Sequence, residues 1–201
     1  MHISEQLMQH PPFPCGRLAP SPTGYIHLGN AWAFLLAWLA ARSQGVQILL
    51  RIEDIDPQRS RPDYAAALLE DLRWLGLDWD HGPDTGGPCG PYVQSQRGKI
   101  YDTALTRLEQ SGLTYPCFCT RKELRQLAAA PHVDDAGAPY PGTCRHLSHE
   151  HIQGMLRSGR KACVRLRCPK TPISFIDAVM GPQNFLLSQC GGDFALRRSD
   201  G

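Results

Sequence analysis

Apolar and polar positions along the first half of the chain alternate in blocks of strand and helix length. Mainly apolar segments at 15–19 and 46–52 have the length of strands, and the second is expected to be covered on both faces. Apolar residues recur at helical spacing in three further segments, 31–43, 62–75 and 98–110, and each segment ends near a glycine. This strand–helix–strand–helix order predicts a parallel α/β sheet with right-handed crossovers.

The pattern changes character after Tyr115. Thr120 and Glu123 have the spacing of a capping box that opens a short helix. A loop rich in Pro, Gly and Asp is expected over 131–143, and Ser148 is expected to cap a helix that runs to about Arg157. Short strands are then predicted near 162–167, 173–177, 184–187 and 193–197.

These elements suggest one α/β domain of Rossmann type with a smaller α+β insertion. We expect a disordered lead over 1–13, the first part of the α/β fold over 14–113, the insertion over 114–185, and a return to the first fold over 186–201. A chain of 201 residues is long enough to bury a core of this kind.

Composition narrows the class of protein only slightly. Apolar residues make up 42% of the chain and charged residues 20%, which is ordinary for a globular protein. No apolar run is long enough to span a membrane, and the first fourteen residues lack the apolar stretch of a signal peptide, so we expect a cytoplasmic protein. The net charge of +2 indicates no particular partner. One stretch over 157–170 carries six basic residues and no acid, and is either a solvated surface or a nucleic-acid contact.

The turn between the first strand and the first helix carries the strongest chemical signal. Pro20 and Pro22 hold this turn extended, and Gly29 allows another group to approach the backbone. The helix that follows presents its free N–H groups and the positive end of its dipole, which together favour a polyphosphate. His27 lies at this end and can donate a hydrogen bond to a phosphoryl oxygen as charge develops.

Charged residues also follow the second strand. The end of the segment 46–52 and the residues after it carry four charged side chains: Arg51, Glu53, Asp54 and Asp56. The carboxyl ends of parallel strands meet at one edge of a sheet, where such folds bind ligands. We therefore expect His27 and Glu53 to lie beyond the same edge.

The eight cysteines are predicted to be free thiols or metal ligands, because no secretory signal is seen. Cys117 and Cys119 form a C-x-C pair, and Cys144 follows the predicted loop. Three thiolates require a fourth ligand to complete a tetrahedral Zn²⁺ site, for which His146 is the easier choice on chemical grounds. The remaining five are interpreted as buried small residues or incidental thiols: Cys15, Cys89, Cys163, Cys168 and Cys190.

Several segments, taken in order, resemble the glutamate-handling branch of the class I aminoacyl-tRNA synthetases. The segment from Arg17 to Asn30, R-x-A-P-S-P-T-G-x-x-H-x-G-N, is similar to the "HIGH" region of these enzymes. The other matching segments are R-I-E-D-I-D-P (51–57), G-L-D-W-D (76–80), Y-V-Q-S-Q-R (92–97), Y-P-C-F-C-T (115–120) and G-D-F-A-L-R-R-S-D-G (192–201). R-I-E-D-I-D-P, Q-S-Q-R, R-L-R-C-P (165–169) and I-S-F-I-D-x-x-x-G (173–181) most resemble the glutamyl-queuosine tRNA(Asp) synthetase family.

The resemblance implies a function and a set of site residues. The family activates glutamate with ATP and Mg²⁺ and attaches it to queuosine in the anticodon loop of tRNA(Asp), and we expect a monomer with no membrane partner. Opposite charges on Arg17 and Glu53 suit the two ends of free glutamate. Residues implied for the glutamate pocket are Arg17, Leu18, Ala19, Pro20, Ser21 and Glu53. Residues implied for the ATP site and catalysis are His27, Gly29 and Asn30.

The resemblance also bears on the cysteine cluster. The family places a tyrosine at the position of Tyr140, so a structural Zn²⁺ would be held by Cys117, Cys119, Tyr140 and Cys144. Ordinary glutamyl-tRNA synthetases use a C-x-H ending, which keeps His146 as an alternative. A site without metal is the third possibility.

The matched segments stop at Gly201, before the tyrosine, arginine and lysine-bearing K-M-S-K-S loop that complete the site in the family. We therefore expect this chain to carry only the amino-terminal part of the active site. Two other interpretations remain open: a non-catalytic remnant that binds zinc and tRNA or a protein, and the amino-terminal part of an ordinary glutamyl-tRNA synthetase.

Overall fold

The computed structural model describes residues 13–120, 122–124 and 140–199. The predicted lead at 1–12, most of the predicted loop at 131–143 and the last two residues lie outside these ranges. The chain divides into two compact units, Met1–Ala104 and Leu105–Gly201, each with its own sheet. The predicted boundaries at 13, 113 and 185 remain predictions.

The first unit is built on a parallel strand pair. β1 (Cys15–Leu18) and β2 (Gln47–Leu50) run parallel and are joined by helix α1 (Leu28–Arg42). Gly16 allows the helix to pack closely, since a Cβ there would lie 2.7 Å from the Cβ of Ala41. The predicted parallel sheet is confirmed. Its core consists of Leu18, Ala41, Ile48, Leu50, Ile52, Leu68, Leu72, Leu77 and Trp79.

Later segments extend this sheet beyond β2. The amide of Leu50 donates to the carbonyl of His81, and the amide of Ile52 donates to the carbonyl of Tyr92. Both hydrogen bonds belong to parallel bridges, so the segments that contain His81 and Tyr92 extend the parallel pairing of the sheet. The remaining elements are α2 (Pro62–Trp74), a 3₁₀ turn (Gln94–Arg97) and α3 (Gly98–Gln110), which ends in the second unit.

The second unit contains two antiparallel sheets and a short helix. β4 (Cys163–Leu166) lies between β3 (Thr114–Cys117) and β7 (Ala195–Arg197). The second sheet is a hairpin of β5 (Ile173–Asp177) and β6 (Gly181–Phe185). Helix α4 (His149–Arg157) begins after Ser148, whose hydroxyl accepts a hydrogen bond from the amide of His151, as predicted.

The buried carboxylate of Asp193 links several segments of the second unit through hydrogen bonds. Asp193 accepts hydrogen bonds from the Tyr115 hydroxyl at 2.7 Å, from Arg145 Nη1 at 2.5 Å and from the Cys168 amide at 2.9 Å. Its own carbonyl accepts a 2.6 Å hydrogen bond from Arg165. Burial raises the pKa of the Asp193 carboxyl, but these hydrogen bonds and the Arg145 charge outweigh burial and lower the pKa below its ordinary value.

The basic stretch at 157–170 is partly structural rather than a uniform surface. Arg165 is buried, Arg160 donates to the carbonyl of Phe118, and Arg167 donates to the carbonyls of Thr114 and Arg145. These guanidinium groups therefore serve as hydrogen-bond donors to backbone carbonyls of this unit. Arg157, Lys161 and Lys170 are exposed.

Two element starts differ from the sequence prediction by three residues. α1 begins at Leu28 rather than 31, because the side chain of His27 caps it. β6 begins at Gly181 rather than 184, because Asp177 Oδ1 accepts the amides of Val179 and Met180 and closes a tighter turn. In the described part of the chain, no helix has both the length and the apolarity that crossing a bilayer requires.

Candidate active site and metal centre

Backbone hydrogen bonds hold the segment after β1 alongside the segment after β2. The amide of Arg51 donates to the carbonyl of Leu18 at 2.9 Å, and the amide of Glu53 donates to the carbonyl of Pro20 at 2.8 Å. The amide of Arg61 then donates to the carbonyl of Pro22 at 3.0 Å. The turn therefore continues the parallel ladder without being a regular strand, and both segments lie beyond the carboxyl ends of the strands, as predicted.

This edge of the sheet carries alternating charges. Arg17 is exposed at the end of β1, and Glu53 is partly buried after β2. Arg51 contacts Glu53 through Nη2 at 2.6 Å and Nε at 3.2 Å, and both contacts are made to Oε1. Sequence reasoning missed the role of Arg51, although the i, i+2 spacing in an extended segment places both side chains on one face. The ion pair fixes the orientation of the Glu53 carboxylate.

The next carboxylate fastens a neighbouring loop. Asp54 accepts hydrogen bonds from the amide of Ser95 at 2.8 Å and from its hydroxyl at 2.7 Å. The amide of Gln94 donates to the carbonyl of Ile52. The segment 92–97 is thereby held against the edge that carries Glu53, which gives the Q-S-Q-R motif a structural role.

Among the residues of the implied glutamate pocket, Leu18 and Pro20 are buried while Ala19 is partly buried and Ser21 is exposed. Leu18 belongs to the core of the first unit and Pro20 is buried, so these two residues can contribute only backbone to a ligand at this edge. Arg17, Ser21 and Glu53 offer polar side chains there.

His27 is the N-cap of α1. Its Nδ1 accepts a hydrogen bond from the amide of Gly29 at 3.1 Å, and its own amide donates to Oδ1 of Asn30 at 3.4 Å. In a neutral imidazole the nitrogen opposite an accepting Nδ1 carries the proton. Nε2 of His27 is therefore the N–H that can donate to a ligand.

Gly29 leaves room for that ring. A Cβ at this position would lie 3.0 Å from Cε1 and 3.2 Å from Nδ1 of His27. The first turn of α1 contains no acidic residue. The exposed helix end, with the positive end of its dipole and an imidazole N–H, is suited to a negatively charged ligand.

Three cysteine sulfurs converge in the second unit. The Sγ atoms of Cys117, Cys119 and Cys144 all lie within 4.8 Å of one another, and the Cys119–Cys144 pair is 3.7 Å apart. The hydroxyl of Tyr140 lies 3.3 Å from Sγ of Cys117 and 3.8 Å from Sγ of Cys119, and accepts a 2.9 Å hydrogen bond from the Cys144 amide. His146 is exposed and does not belong to this cluster among the described residues.

These distances fit a tetrahedral metal. A Zn–S bond of about 2.3 Å and tetrahedral angles place sulfur ligands about 3.8 Å apart, close to the separation of the Cys119–Cys144 pair. The oxygen–sulfur distances of Tyr140 are of the same order. Four ligand atoms leave no position for a substrate, so a metal here would be structural.

The electrostatics of the cluster depend on Arg165, whose guanidinium lies 3.8 Å above the ring of Tyr140. Burial raises the pKa of the Cys117 thiol, but contacts with Tyr140 and Arg165 outweigh burial and bring that pKa to about 7. Burial, the charge of Cys117 and the contact with Cys144 raise the pKa of Cys119 to about 12. Burial and the contact with Cys117 also raise the pKa of the Tyr140 phenol. A cation is the ligand that favours the deprotonated form of all these groups.

Cys163 is partly buried, as its interpretation as a buried small residue allows. It lies opposite Cys117 across β3 and β4 and packs against the cluster. Only the strand register reveals this, because the two residues are far apart in sequence. Cys168 is buried and donates to the carbonyl of Gly192, while Cys190 is exposed.

Comparison with known proteins identifies a family. The model of the family described as "tRNA synthetases class I (E and Q), catalytic domain" matches residues 15–201. A protein named Glutamyl-Q tRNA(Asp) synthetase from Nitratidesulfovibrio vulgaris is 63% identical over 186 residues, which are 92% of this chain and 57% of that protein. A protein named Glutamate–tRNA ligase 2 from Nitrosococcus oceani is 48% identical over 92% of this chain and 39% of that protein.

Solved structures agree on the fold. A crystal structure of a glutamate tRNA ligase from Elizabethkingia meningosepticum in complex with its amino acid superposes with a TM-score of 0.78 and 31% identity. The match covers 92% of this chain and 38% of that one. The class I synthetase fold expected from the sequence is confirmed. The chain spans a little over half the length of its Nitratidesulfovibrio relative and a smaller share of the glutamate–tRNA ligases.

Proposed function

The chain belongs to the family of class I tRNA synthetase catalytic domains for glutamate and glutamine, and from this premise we propose that it activates glutamate with ATP and transfers it to queuosine of tRNA(Asp). The chain carries the amino-terminal part of that active site. The main support is the 63% identity with a Glutamyl-Q tRNA(Asp) synthetase, against 48% or less with the glutamate–tRNA ligases. The reaction takes place in the cytoplasm, and the protein acts as a monomer.

Glutamate binds at the edge of the sheet between Arg17 and Glu53. The guanidinium of Arg17 neutralises one carboxylate of the ligand, and the carboxylate of Glu53 neutralises its α-ammonium. Arg51 holds Oε1 of Glu53, so Oε2 is directed to the ligand. Ser21 and the backbone from Leu18 to Pro20 complete this side of the pocket.

ATP, bound with Mg²⁺ as a substrate, places its phosphates at the amino end of α1. The α-carboxylate of glutamate attacks the α-phosphorus, and pyrophosphate leaves. Nε2–H of His27 donates to the phosphoryl oxygens, where charge increases in the transition state. Gly29 lets the imidazole lie against the backbone, and Asn30 fixes the His27 amide.

Zinc is the metal that the cysteine cluster fits best, with Cys117, Cys119, Tyr140 and Cys144 as ligands. Bound there, Zn²⁺ supplies no reaction chemistry. These ligands would connect the end of β3 to Tyr140 and Cys144, and the free energy of metal binding would stabilise the second unit.

The glutamate pocket is tested in a chimera that joins this chain to the remaining length of its Nitratidesulfovibrio relative. Glutamate should stimulate ATP–pyrophosphate exchange in this chimera, and glutamine should not, because its neutral amide cannot pair with Arg17. Substitution Arg17→Ala should abolish the stimulation by removing the guanidinium that pairs with the side-chain carboxylate of the ligand. Lys170→Ala, at an exposed cation of the second unit, is the matched control and should leave exchange unchanged. Unaltered exchange by the Arg17→Ala chimera would exclude this pocket.

A further inference from the structure

A fourth thiol, that of Cys163, lies next to the three sulfurs and one oxygen of the proposed zinc site. Cys163 is the first residue of β4 and is directly opposite Cys117, the last residue of β3. Side chains of directly opposed residues project from the same face of an antiparallel sheet. The two thiols interact with each other, and Cys163 packs against the cluster formed by Tyr115, Cys117 and Cys144.

The strand register also places the Cα atoms of Cys117 and Cys163 at a separation that a disulfide can span. Opposed residues in an antiparallel pair have Cα atoms about 4.5–5.5 Å apart, and disulfides span Cα separations of about 4.4–6.8 Å. Cys163 is only partly buried, so a small oxidant can reach its thiol, whereas Cys117 is buried. A metal held by Cys117, Cys119, Cys144 and Tyr140 leaves Cys163 as the one thiol at the site without a bond to the metal.

We propose that Cys163 and Cys117 form a reversible oxidation site, in which a peroxide converts the two thiols to a cross-strand disulfide and thereby removes one ligand from the metal. The disulfide needs only the two thiols, whereas the coupled loss of metal rests on the proposed zinc site.

The oxidation is balanced with hydrogen peroxide as the oxidant. One thiol of the pair attacks a peroxide oxygen, the O–O bond breaks, and the products are a sulfenic acid and water. The second thiol then attacks the sulfenic sulfur, which forms the S–S bond and releases a second water. Two thiols lose two electrons, and these reduce one peroxide to two waters. A dithiol reductant reverses the reaction by exchange.

A competing disulfide is available within the cluster, since the sulfurs of Cys119 and Cys144 are 3.7 Å apart. Both of these sulfurs are ligands, and a thiolate bonded to a metal is a weaker nucleophile than a free one. Cys163 is the thiol that remains free, so the first disulfide should contain it.

The test treats the zinc-loaded chain with hydrogen peroxide and follows two readouts: zinc released to a chromogenic chelator, and disulfides located by non-reducing peptide mass spectrometry. We expect the Cys117–Cys163 disulfide to appear together with zinc release, and dithiothreitol with added zinc to restore the metal. Cys163→Ser should lose the fast release, because the thiol without a bond to the metal is removed and only metal-bound thiolates remain to react with the peroxide. Cys190→Ser, at an exposed cysteine, should behave as the unaltered chain.

Elemental analysis of each variant before oxidation separates this proposal from the zinc assignment. A chain that contains no zinc but still forms the Cys117–Cys163 disulfide would overturn the zinc site and keep the thiol pair. A first disulfide between Cys119 and Cys144, or equal release from Cys163→Ser and the unaltered chain, would overturn the thiol pair. Should Cys163→Ser fail to load zinc, Cys163→Ala replaces it, since alanine fits the same partly buried position.

Discussion

His27 is the residue at which local structure and the proposed chemistry meet most closely. Its Nδ1 satisfies an amide of the first turn of α1, and this hydrogen bond leaves the proton on Nε2. The two ring nitrogens therefore have different tasks in the proposed reaction: Nδ1 caps the helix and Nε2–H donates to the ligand. Substitutions that separate the two tasks can test the assignment.

His27→Asn should retain the helix cap, because asparagine is a strong N-cap residue, and lose the imidazole Nε2–H. In the chimera with the Nitratidesulfovibrio relative, this variant should form glutamyl-adenylate much more slowly while binding ATP almost normally. His27→Ala should lose the cap as well and fall in stability by about 1 kcal/mol. Single-turnover kinetics, ATP titration and thermal unfolding measure the three quantities. A fall in ATP affinity alone would make His27 a simple binding residue.

Tyr140 is the second residue at which a single atom is decisive. Tyr140→Phe removes the oxygen that lies among the cysteine sulfurs and keeps the ring beneath Arg165. We expect zinc affinity to fall by at least tenfold, as measured by competition with a chromogenic chelator, while the fold is retained at saturating zinc. His146→Ala is the control and should bind zinc as the unaltered chain does. Reversal of these two results would make His146 the ligand.

At the scale of elements, the sequence predicted the helices and strands, which depend on local pattern. It missed the contacts between side chains that depend on strand register. The apolar periodicity and the positions of glycine and proline located β1, α1, β2 and α2 to within a few residues, because the apolar faces of these elements pack on one core. The start of α1 was missed because histidine is not among the usual N-cap residues. The choice between Tyr140 and His146 stayed open at the sequence level because spacing does not reveal which side chain points inward. The pairing of Cys163 with Cys117 follows only from the alignment of β3 with β4.

The second unit depends on a single carboxylate that joins its strands and loops. Asp193→Asn leaves Arg145 without its buried partner, and we expect a loss of about 3 kcal/mol in the free energy of unfolding. Tyr115→Phe removes one hydrogen bond to the same carboxylate and should cost about 1–2 kcal/mol. Denaturant unfolding followed by tyrosine and tryptophan fluorescence measures both. Equal stability of Asp193→Asn and the unaltered chain would contradict this role.

The same carboxylate predicts a pH dependence. The pKa of Asp193 is lowered in the folded chain, so its stabilisation is present above the unfolded pKa of about 4. It is lost as the pH falls from there through the lower folded pKa. The difference in unfolding free energy between the unaltered chain and Asp193→Asn should therefore be constant near pH 6–7 and shrink below about pH 4. A difference that grows as the pH falls would have the wrong sign.

At the scale of the whole molecule, the two units contain candidate sites of different kinds. The first unit brings Arg17, Glu53 and His27 to the carboxyl edge of a parallel sheet, which is where the class I fold binds small ligands. The second unit gathers three thiols and a phenol into a closed site that suits structure rather than catalysis. The family model extends over both units, so the proposed function requires that neither be an unrelated addition.

Transfer of labelled glutamate to tRNA is the most direct measurement of the proposed function. The chimera with the Nitratidesulfovibrio relative is incubated with ATP, labelled glutamate and one of three acceptors: tRNA(Asp) that contains queuosine, tRNA(Asp) that lacks it, or tRNA(Glu). Because the Nitratidesulfovibrio segment alone could supply activity, Arg17→Ala and His27→Asn in this chain's segment serve as controls. We predict label on queuosine-containing tRNA(Asp) alone, and its loss in both controls. Label on tRNA(Glu), or label that persists in the controls, would contradict the assignment.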